Sequence, residues 1–189
     1  LAVELDLKEA KNMFGLNYVI FRPHNVYGER QNIGDPYRNV VGIFMNQILQ
    51  GKPMTIFGDG NQSRAFTYIK DIAPIIAIAG MKESAWNQIY NVGSDKTLTV
   101  KKLAEMVANV MGITPSIKYL AARKEVQHAY SSHEKIKKYF PEFSRETIME
   151  EGLKNMAEWV MKHGAKTGKA FKGIEVVKNM PETWKKLIK

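Results

Sequence analysis

The stretch RPHNVYGERQ, residues 22–31, follows a short apolar run, Tyr18 to Phe21, and ends that run with a proline, a histidine and an asparagine. The apolar run predicts a strand that is buried on both faces. Proline ends a strand because it has no backbone N–H, and asparagine accepts tight backbone conformations. Taken alone, the stretch fits a plain turn as well as it fits a ligand crevice beyond the carboxyl end of a strand.

Helices and strands alternate on both sides of this stretch. The apolar periodicity predicts helices over residues 1–14, 39–50, 72–81, 99–110, 132–139 and 148–162. It predicts further short strands over residues 54–57, 64–69, 89–92 and 116–120. This alternation indicates an α/β fold with a partial Rossmann-type, doubly wound sheet, and the strongly apolar strands are too few for a complete one.

Several residues have the side chains and positions of helix caps. Gly15 follows the first helix and suits the left-handed conformation after a helix end. Asp71 and Thr99 each precede a predicted helix and can accept its first backbone N–H groups. Ser131 and Thr147 are each followed three residues later by a glutamate, which predicts two capping boxes.

The net charge of +9 is concentrated at the carboxyl end of the chain. Residues 162–189 contain eight lysines and two glutamates, with no aromatic pattern typical of RNA binding. We therefore expect a solvated basic extension over residues 163–189 and no nucleic acid partner. Within it, residues 164–173 are predicted to form a linker, and residues 174–188 a loosely ordered segment.

Other classes of protein lack the residues they need. The chain has no cysteine, and its four histidines show no metal-binding spacing, so we expect no metal site. No apolar run approaches the roughly 18 residues of a membrane span, and no signal peptide opens the sequence. We therefore expect a cytoplasmic protein with no membrane partner. The segment GDGNQ contains neither common glycine-rich phosphate motif.

Two further segments carry residues suited to binding phosphate. Arg64 opens a strand after the turn-forming segment 57–63, and a guanidinium can pair with two phosphate oxygens at once. Arg123 lies near Glu125, and the two could hold a diphosphate and a ribose hydroxyl. The alternatives remain that Arg64 is an ordinary surface residue and that Arg123 and Glu125 form a solvated ion pair.

Taken in order, three motifs resemble those of the NAD-dependent epimerase/dehydratase family, the extended short-chain dehydrogenases that act on nucleotide sugars. RPHNVYGERQ (22–31) is similar to RPxNVYGP, and TIFGDGNQSRAFTYIKDIA (55–73) to xGDGxQxRDFxYVxDxA. IYNVGSDKTLTV (89–100) is similar to YNVGxGxxxTV. The resemblance covers residues 1–162 and implies the carboxyl-terminal part of such an enzyme: the end of an NAD-binding domain interleaved with a smaller α/β substrate-binding domain.

For a full-length enzyme the resemblance implies an NAD-dependent UDP-sugar 4-epimerase that interconverts UDP-glucose and UDP-galactose through transient oxidation at C4. A tyrosine of the family's YxxxK motif is the base, and a GxxGxxG turn binds the dinucleotide. Neither motif occurs in this sequence, so we expect no catalytic residue here and no activity from this chain alone. The resemblance also implies a homodimer.

The site residues implied by the resemblance fall into two groups. Pro23 and His24 are expected to contact the nicotinamide end of NAD. The residues expected to bind the UDP-sugar are Asn25, Val41, Thr55, Phe57, Arg64, Arg123 and Glu125.

The sequence departs from the family pattern at three points. Ala65 replaces an aspartate that follows the arginine, Arg123 lies two instead of three residues before its acid, and Ile43 replaces a proline. The same motifs occur in nucleotide-sugar dehydratases and decarboxylases, which are the first alternative. A nucleotide-sugar-binding module without catalysis is the second.

Overall fold

A computed structural model describes residues 1–143 and 146–168 of the chain. The helices within these residues are α1 (Ala2–Phe14), α2 (Val40–Leu49), α3 (Ile69–Ala79), α4 (Val100–Val110), α5 (Glu134–Tyr139) and α6 (Met149–His163). The strands are β1 (Val19–Pro23), β2 (Val26–Tyr27), β3 (Met54–Phe57), β4 (Ser63–Ala65), β5 (Thr67–Tyr68), β6 (Gln88–Val92), β7 (Thr97–Thr99), β8 (Ile117–Leu120) and β9 (His128–Ala129). The predicted α/β class is confirmed.

Most of the strand pairs are parallel. β1 pairs with β6, β2 with β5 and β3 with β8, all in parallel. β4 lies between β7, to which it is antiparallel, and β9, to which it is parallel. The prediction of one continuous strand over residues 64–69 is wrong, because Phe66 separates β4 from β5 and the two strands pair with different partners.

Two hydrophobic clusters hold these layers together. In the larger, α2, α4 and α6 pack against one another and bury side chains such as Phe44, Leu103 and Met156 completely. In the smaller, α3 and α5 cover β6, and Tyr90 and Phe140 meet edge to face with their ring centroids 5.7 Å apart. Burial of aromatic and aliphatic surface on this scale is the main stabilising term of such a domain.

The first helix and the first strand are more exposed than the sequence pattern predicts. No residue of α1 is buried, and most of its apolar side chains, Phe14 among them, face solvent. β1 is half-buried at its start and exposed at its end, so the prediction of a strand buried on both faces is wrong. In the described residues β1 pairs only with β6, which leaves it less covered than an interior strand.

The predicted caps have mixed outcomes. Gly15 is left-handed with φ of 71°, and Thr99 accepts from the backbone N–H of Lys102, as predicted. Asp71 does not cap its own helix, because α3 begins two residues earlier, at Ile69. It instead accepts hydrogen bonds from the backbone N–H and the hydroxyl of Thr147. Thr147 is therefore not a capping-box residue.

The capping box predicted at Ser131 is also wrong. His133 is the residue before α5 and its side chain forms no cap, while the Ser132 hydroxyl accepts a long hydrogen bond of 3.4 Å from the N–H of Glu134. The Ser131 hydroxyl lies 3.1 Å from Nε2 of His133. Ser131, which the sequence pattern predicted to cap the helix, therefore contacts the side chain of His133 instead.

The chain folds back onto α2 after its last described helix. The backbone of Lys166 both donates to and accepts from the side chain of Asn46, at 2.9 Å in each case. The first residues of the predicted linker are thus attached to the body, while the segment predicted over residues 174–188 lies outside the described residues. Among the described residues, no helix combines the length and the apolarity that crossing a bilayer requires.

Candidate functional site

A cavity of about 760 Å³ lies where the loop after β1, the start of α2, the end of β3 and the loop after β8 come together. The end of a parallel strand and the N-terminus of a helix are the usual walls of a ligand site in α/β folds. Six of the predicted substrate-binding residues line it: Asn25, Thr55, Phe57, Arg64, Arg123 and Glu125.

Asn25 has a backbone conformation that suits its place at the edge of the cavity. Its φ is 45°, in the left-handed region that asparagine tolerates better than most residues. Its amide Nδ2 donates to the carbonyl of Ala65 at 2.9 Å, and its carbonyl accepts from the backbone N–H of Thr67. These bonds fix the end of the motif RPHN against the strand segment that contains Arg64.

Arg64 is the most enclosed cation of the cavity, with 16% of its side chain exposed. Its Nη1 donates to the carbonyls of Ser63 and Gln127, at 2.7 and 3.2 Å. Its Nη2 donates to Oε2 of Glu125 at 3.0 Å. The guanidinium is therefore held in one orientation by the backbone carbonyls of β4 and of the loop before β9, as a preorganised anion-binding group needs to be.

Arg123 approaches the cavity from the loop after β8. Its guanidinium carbon lies 3.2 Å from the centroid of the Phe57 ring, a cation–π contact that keeps the charged group over the cavity wall. Glu125, two residues further, accepts a long hydrogen bond of 3.4 Å from Nε2 of Gln62. The spacing of two residues thus still brings both side chains to the same cavity.

The helical wall of the cavity contains residues that sequence reasoning missed. Gln47 donates to the Thr55 hydroxyl at 2.9 Å and accepts from the Thr55 backbone N–H at 3.0 Å. Gln47 lies one helical turn beyond Ile43, which also lines the cavity, but the sequence alone does not show which face of this helix points to the cavity. The loop residues 36–39 also line the cavity, and no motif pointed to them.

Val41 does not line the cavity, contrary to its predicted place in the pocket. Its side chain is fully buried in the larger hydrophobic cluster, and Val40 and Ile43 face the cavity instead. The reason is the helix start: Asn39 caps α2 through its Oδ1, which accepts from the N–H of Val41. This cap sets which face of the first turn points inward.

Pro23 and His24 lie at the carboxyl end of β1, outside the cavity lining. The His24 ring stacks on the His133 ring with centroids 4.9 Å apart. His133 is itself buried, and its Nδ1 lies 2.6 Å from Oδ1 of Asp95. Nε2 of His24 is buried without a hydrogen-bond partner among the described residues.

Stability is expected to fall as the pH falls below about 6.5, the ordinary pKa of histidine. Burial lowers the pKa of His24, and a charge on the neighbouring His133 lowers this pKa further. The unfolded chain therefore binds a proton at His24 more readily than the folded chain does. The stability contribution of neutral His24 is fully present above the pKa of the unfolded chain, and it is lost as the pH falls through the lower pKa of the folded chain. Urea unfolding at pH 7.5 and 5.5 should show the loss, and His24→Gln should reduce it. An equal loss in the variant would contradict this role of His24.

No group of three or more histidine, cysteine, aspartate or glutamate side chains in the described part of the chain could hold a metal ion. The charged groups of the cavity itself are Arg38, Arg64, Arg123 and Glu125. Guanidinium groups outnumber the carboxylate, so the arrangement is suited to binding an anion and offers no nucleophile or base of evident strength.

Known proteins share these motifs and this fold. Residues 1–93 match the model of the NAD dependent epimerase/dehydratase family. A putative UDP-glucose 4-epimerase of Methanocaldococcus jannaschii is 33% identical over 165 residues, which cover 85% of this chain and 51% of that protein. A UDP-N-acetyl-alpha-D-glucosaminuronate decarboxylase of Bacillus cytotoxicus is 30% identical over 151 residues, which cover 77% of this chain and 46% of that protein.

A solved structure supports the same relationship. The UDP-glucose 4-epimerase of Thermotoga maritima, crystallised with UDP-glucose, superposes with a TM-score of 0.75 at 30% identity, over 86% of this chain and 52% of that chain. The chain therefore spans about half the length of the proteins it matches. By its motifs, by the family model over residues 1–93 and by its fold, the chain is a relative of the NAD dependent epimerases and dehydratases, and the predicted resemblance to that family is confirmed.

Proposed function

We propose that this chain forms the UDP-sugar-binding part of an NAD-dependent UDP-sugar 4-epimerase that interconverts UDP-glucose and UDP-galactose. The observation that carries the proposal is the single cavity that contains Arg64, Arg123 and Asn25. Two guanidinium groups and an amide are the groups that bind a diphosphate. The similarity to a putative UDP-glucose 4-epimerase over most of the chain supports the choice of sugar nucleotide.

Six residues that line the cavity have a role in this proposal. Arg64 and Arg123 bind the two phosphates, and Asn25 contacts the diphosphate or the sugar. Thr55 and Phe57 line the pocket for uracil and ribose, and Glu125 accepts a hydrogen bond from a ribose hydroxyl. The hexose must turn between oxidation and reduction, so a firm hold on the diphosphate is the function that this cavity serves.

Pro23 and His24 are proposed to hold the nicotinamide end of NAD. Pro23 is exposed at the carboxyl end of a parallel strand. Beside it, the buried Nε2 of His24 has no hydrogen-bond partner among the described residues and can still form a hydrogen bond. These features fit a carboxamide group. When bound, NAD supplies the hydride acceptor and donor for chemistry at C4. This chain's own contribution is to position that end of the cofactor against the substrate.

A second candidate function is decarboxylation of a UDP-linked uronic acid. The similarity to a UDP-N-acetyl-alpha-D-glucosaminuronate decarboxylase over 77% of the chain favours it. The two candidates share the diphosphate and the uridine, and they differ in whether the sugar carries a carboxylate. Competition of UDP-glucose and UDP-glucuronate for the cavity would separate them, since the matching sugar should bind more tightly.

Calorimetric titration of the chain with UDP, UMP and uridine tests the proposal. UDP should bind more tightly than UMP, and uridine should not bind measurably, because the guanidinium groups contribute only when phosphates are present. Equal affinity for UDP and uridine, or no binding of UDP, would overturn it. UDP-galactose mixed with the chain and NAD should give no UDP-glucose, since the sequence contains neither YxxxK nor GxxGxxG.

The homodimer and the cytoplasmic location stay predictions. Sedimentation of the chain would measure its oligomeric state directly. The exposed apolar side chains of α1 are the surface on which association is expected.

A further inference from the structure

Both cations of the cavity that are proposed to bind phosphate have partners within the chain. Glu125 places a carboxylate oxygen 3.0 Å from Nη2 of Arg64, and the Phe57 ring covers one face of Arg123. The other hydrogen bonds of Arg64 go to backbone carbonyls, which hold the group but do not neutralise it. Glu125 is thus the one anion in contact with Arg64 among the described residues.

The two members of this ion pair differ in their freedom to move. Arg64 lies on a strand and is largely enclosed, whereas 39% of the Glu125 side chain is exposed. The loop of residues 121–127 is exposed along its whole length, so Glu125 can turn away without uncovering hydrophobic core. Its second contact, with Gln62, is a long hydrogen bond and holds it weakly.

We propose that Glu125 is an internal competitor for the ligand's phosphate at Arg64. This inference rests on the proposed function, in which a diphosphate occupies the cavity. The carboxylate occupies the place at Arg64 that phosphate oxygens would take, and a diphosphate displaces it. The displaced Glu125 is then free to reach the ribose hydroxyl, so the same side chain serves both states.

The competition has a consequence for anion selectivity. An exposed carboxylate and a guanidinium attract each other only modestly, whereas a phosphate carries more charge and bonds in two places. Weakly binding anions therefore find Arg64 already neutralised, and a ligand with two adjacent phosphates gains enough at Arg64 and Arg123 together to displace Glu125. Removal of the Glu125 charge should open Arg64 to any phosphate.

Pyrophosphate is the probe that isolates this step, because it has no ribose for Glu125 to contact. We expect Glu125→Gln to bind pyrophosphate about five-fold more tightly than the unmodified chain in calorimetry, the factor expected for a partly exposed ion pair. Glu125→Asp, which keeps the charge but withdraws it from Arg64, should give an intermediate gain. UDP affinity should rise less than pyrophosphate affinity, because the ribose contact is lost at the same time.

Asp59→Asn is the matched control. Asp59 is exposed on the neighbouring turn, bonds only to Asn61 among the described residues and does not line the cavity, so its removal changes the net charge equally without touching Arg64. Its effect on pyrophosphate affinity should be small because exposed charges are screened at a distance. Unchanged or weaker pyrophosphate binding by Glu125→Gln, in a chain that binds UDP, would overturn the competition alone. Absence of both UDP and pyrophosphate binding from every variant would overturn the proposed function as well.

Discussion

Replacing Arg64 by alanine is expected to weaken UDP binding to the chain by about 2–4 kcal/mol, the cost of losing a charge-assisted contact that bonds in two places. The guanidinium is enclosed and oriented by two backbone carbonyls, and its planar fork can bond to two phosphate oxygens at once. Calorimetry with UDP measures the loss. Binding unchanged in Arg64→Ala would reject the diphosphate role of this residue.

Arg22→Ala is the matched control for this prediction. Arg22 also forms an ion pair with a glutamate, Glu4, but it lies outside the cavity lining and is half-exposed. Its replacement should leave UDP binding within experimental error. Arg64→Lys separates charge from geometry: it keeps the cation but cannot bond in two places, so it should recover only part of the lost affinity. Circular dichroism of each variant verifies that the fold is intact.

Replacing Phe44 by alanine is expected to lower the free energy of unfolding by about 3–5 kcal/mol, the range for removing a buried aromatic ring. Phe44 is fully buried on α2, in the cluster that joins this helix to α4 and α6. The cavity left behind adds to the lost hydrophobic transfer, because packed helices relax only in part. Urea unfolding followed by circular dichroism measures the change.

Phe14→Ala removes the same ring from an exposed position. Phe14 lies on α1 with 78% of its surface exposed, so its loss should change the free energy of unfolding of the monomer by about 0.5 kcal/mol or less. A cost for Phe14→Ala as large as that for Phe44→Ala would show that α1 is covered in solution by another molecule. A small cost for Phe44→Ala would contradict the packing of the three helices.

The sequence predicts the fold class and most elements because local signals are strong where one side of an element is buried. β3 was predicted with its observed bounds, and the cap at Thr99 was predicted correctly, since both depend on neighbouring residues only. The interruption at Phe66 could not be predicted. It depends on which distant strands β4 and β5 pair with, and those partners lie elsewhere in the chain.

The residues of the cavity that lie in a sequence motif could be predicted. Those whose place in the cavity depends on the orientation of a helix could not. Arg64 and Asn25 lie in motifs and meet at the cavity, Asn25 beyond the end of β1 and Arg64 within β4. Val41 and Gln47 are a different case, because the cap at Asn39 sets the rotation of α2 about its axis. One turn of a helix contains both a core residue and a cavity residue, and periodicity alone does not say which is which.

The parallel pairing of β1 with β6 and of β4 with β9 governs how this chain reaches its fold. Tyr18 meets Asn87 across 69 residues, and Ser63 meets His128 across 65, so neither contact forms until a long segment has closed into a loop. Chains rich in such distant contacts refold slowly, on the order of milliseconds to seconds. While those loops remain open, the edges of the short strands are unpaired, and dilute conditions during refolding should therefore raise the yield of native protein.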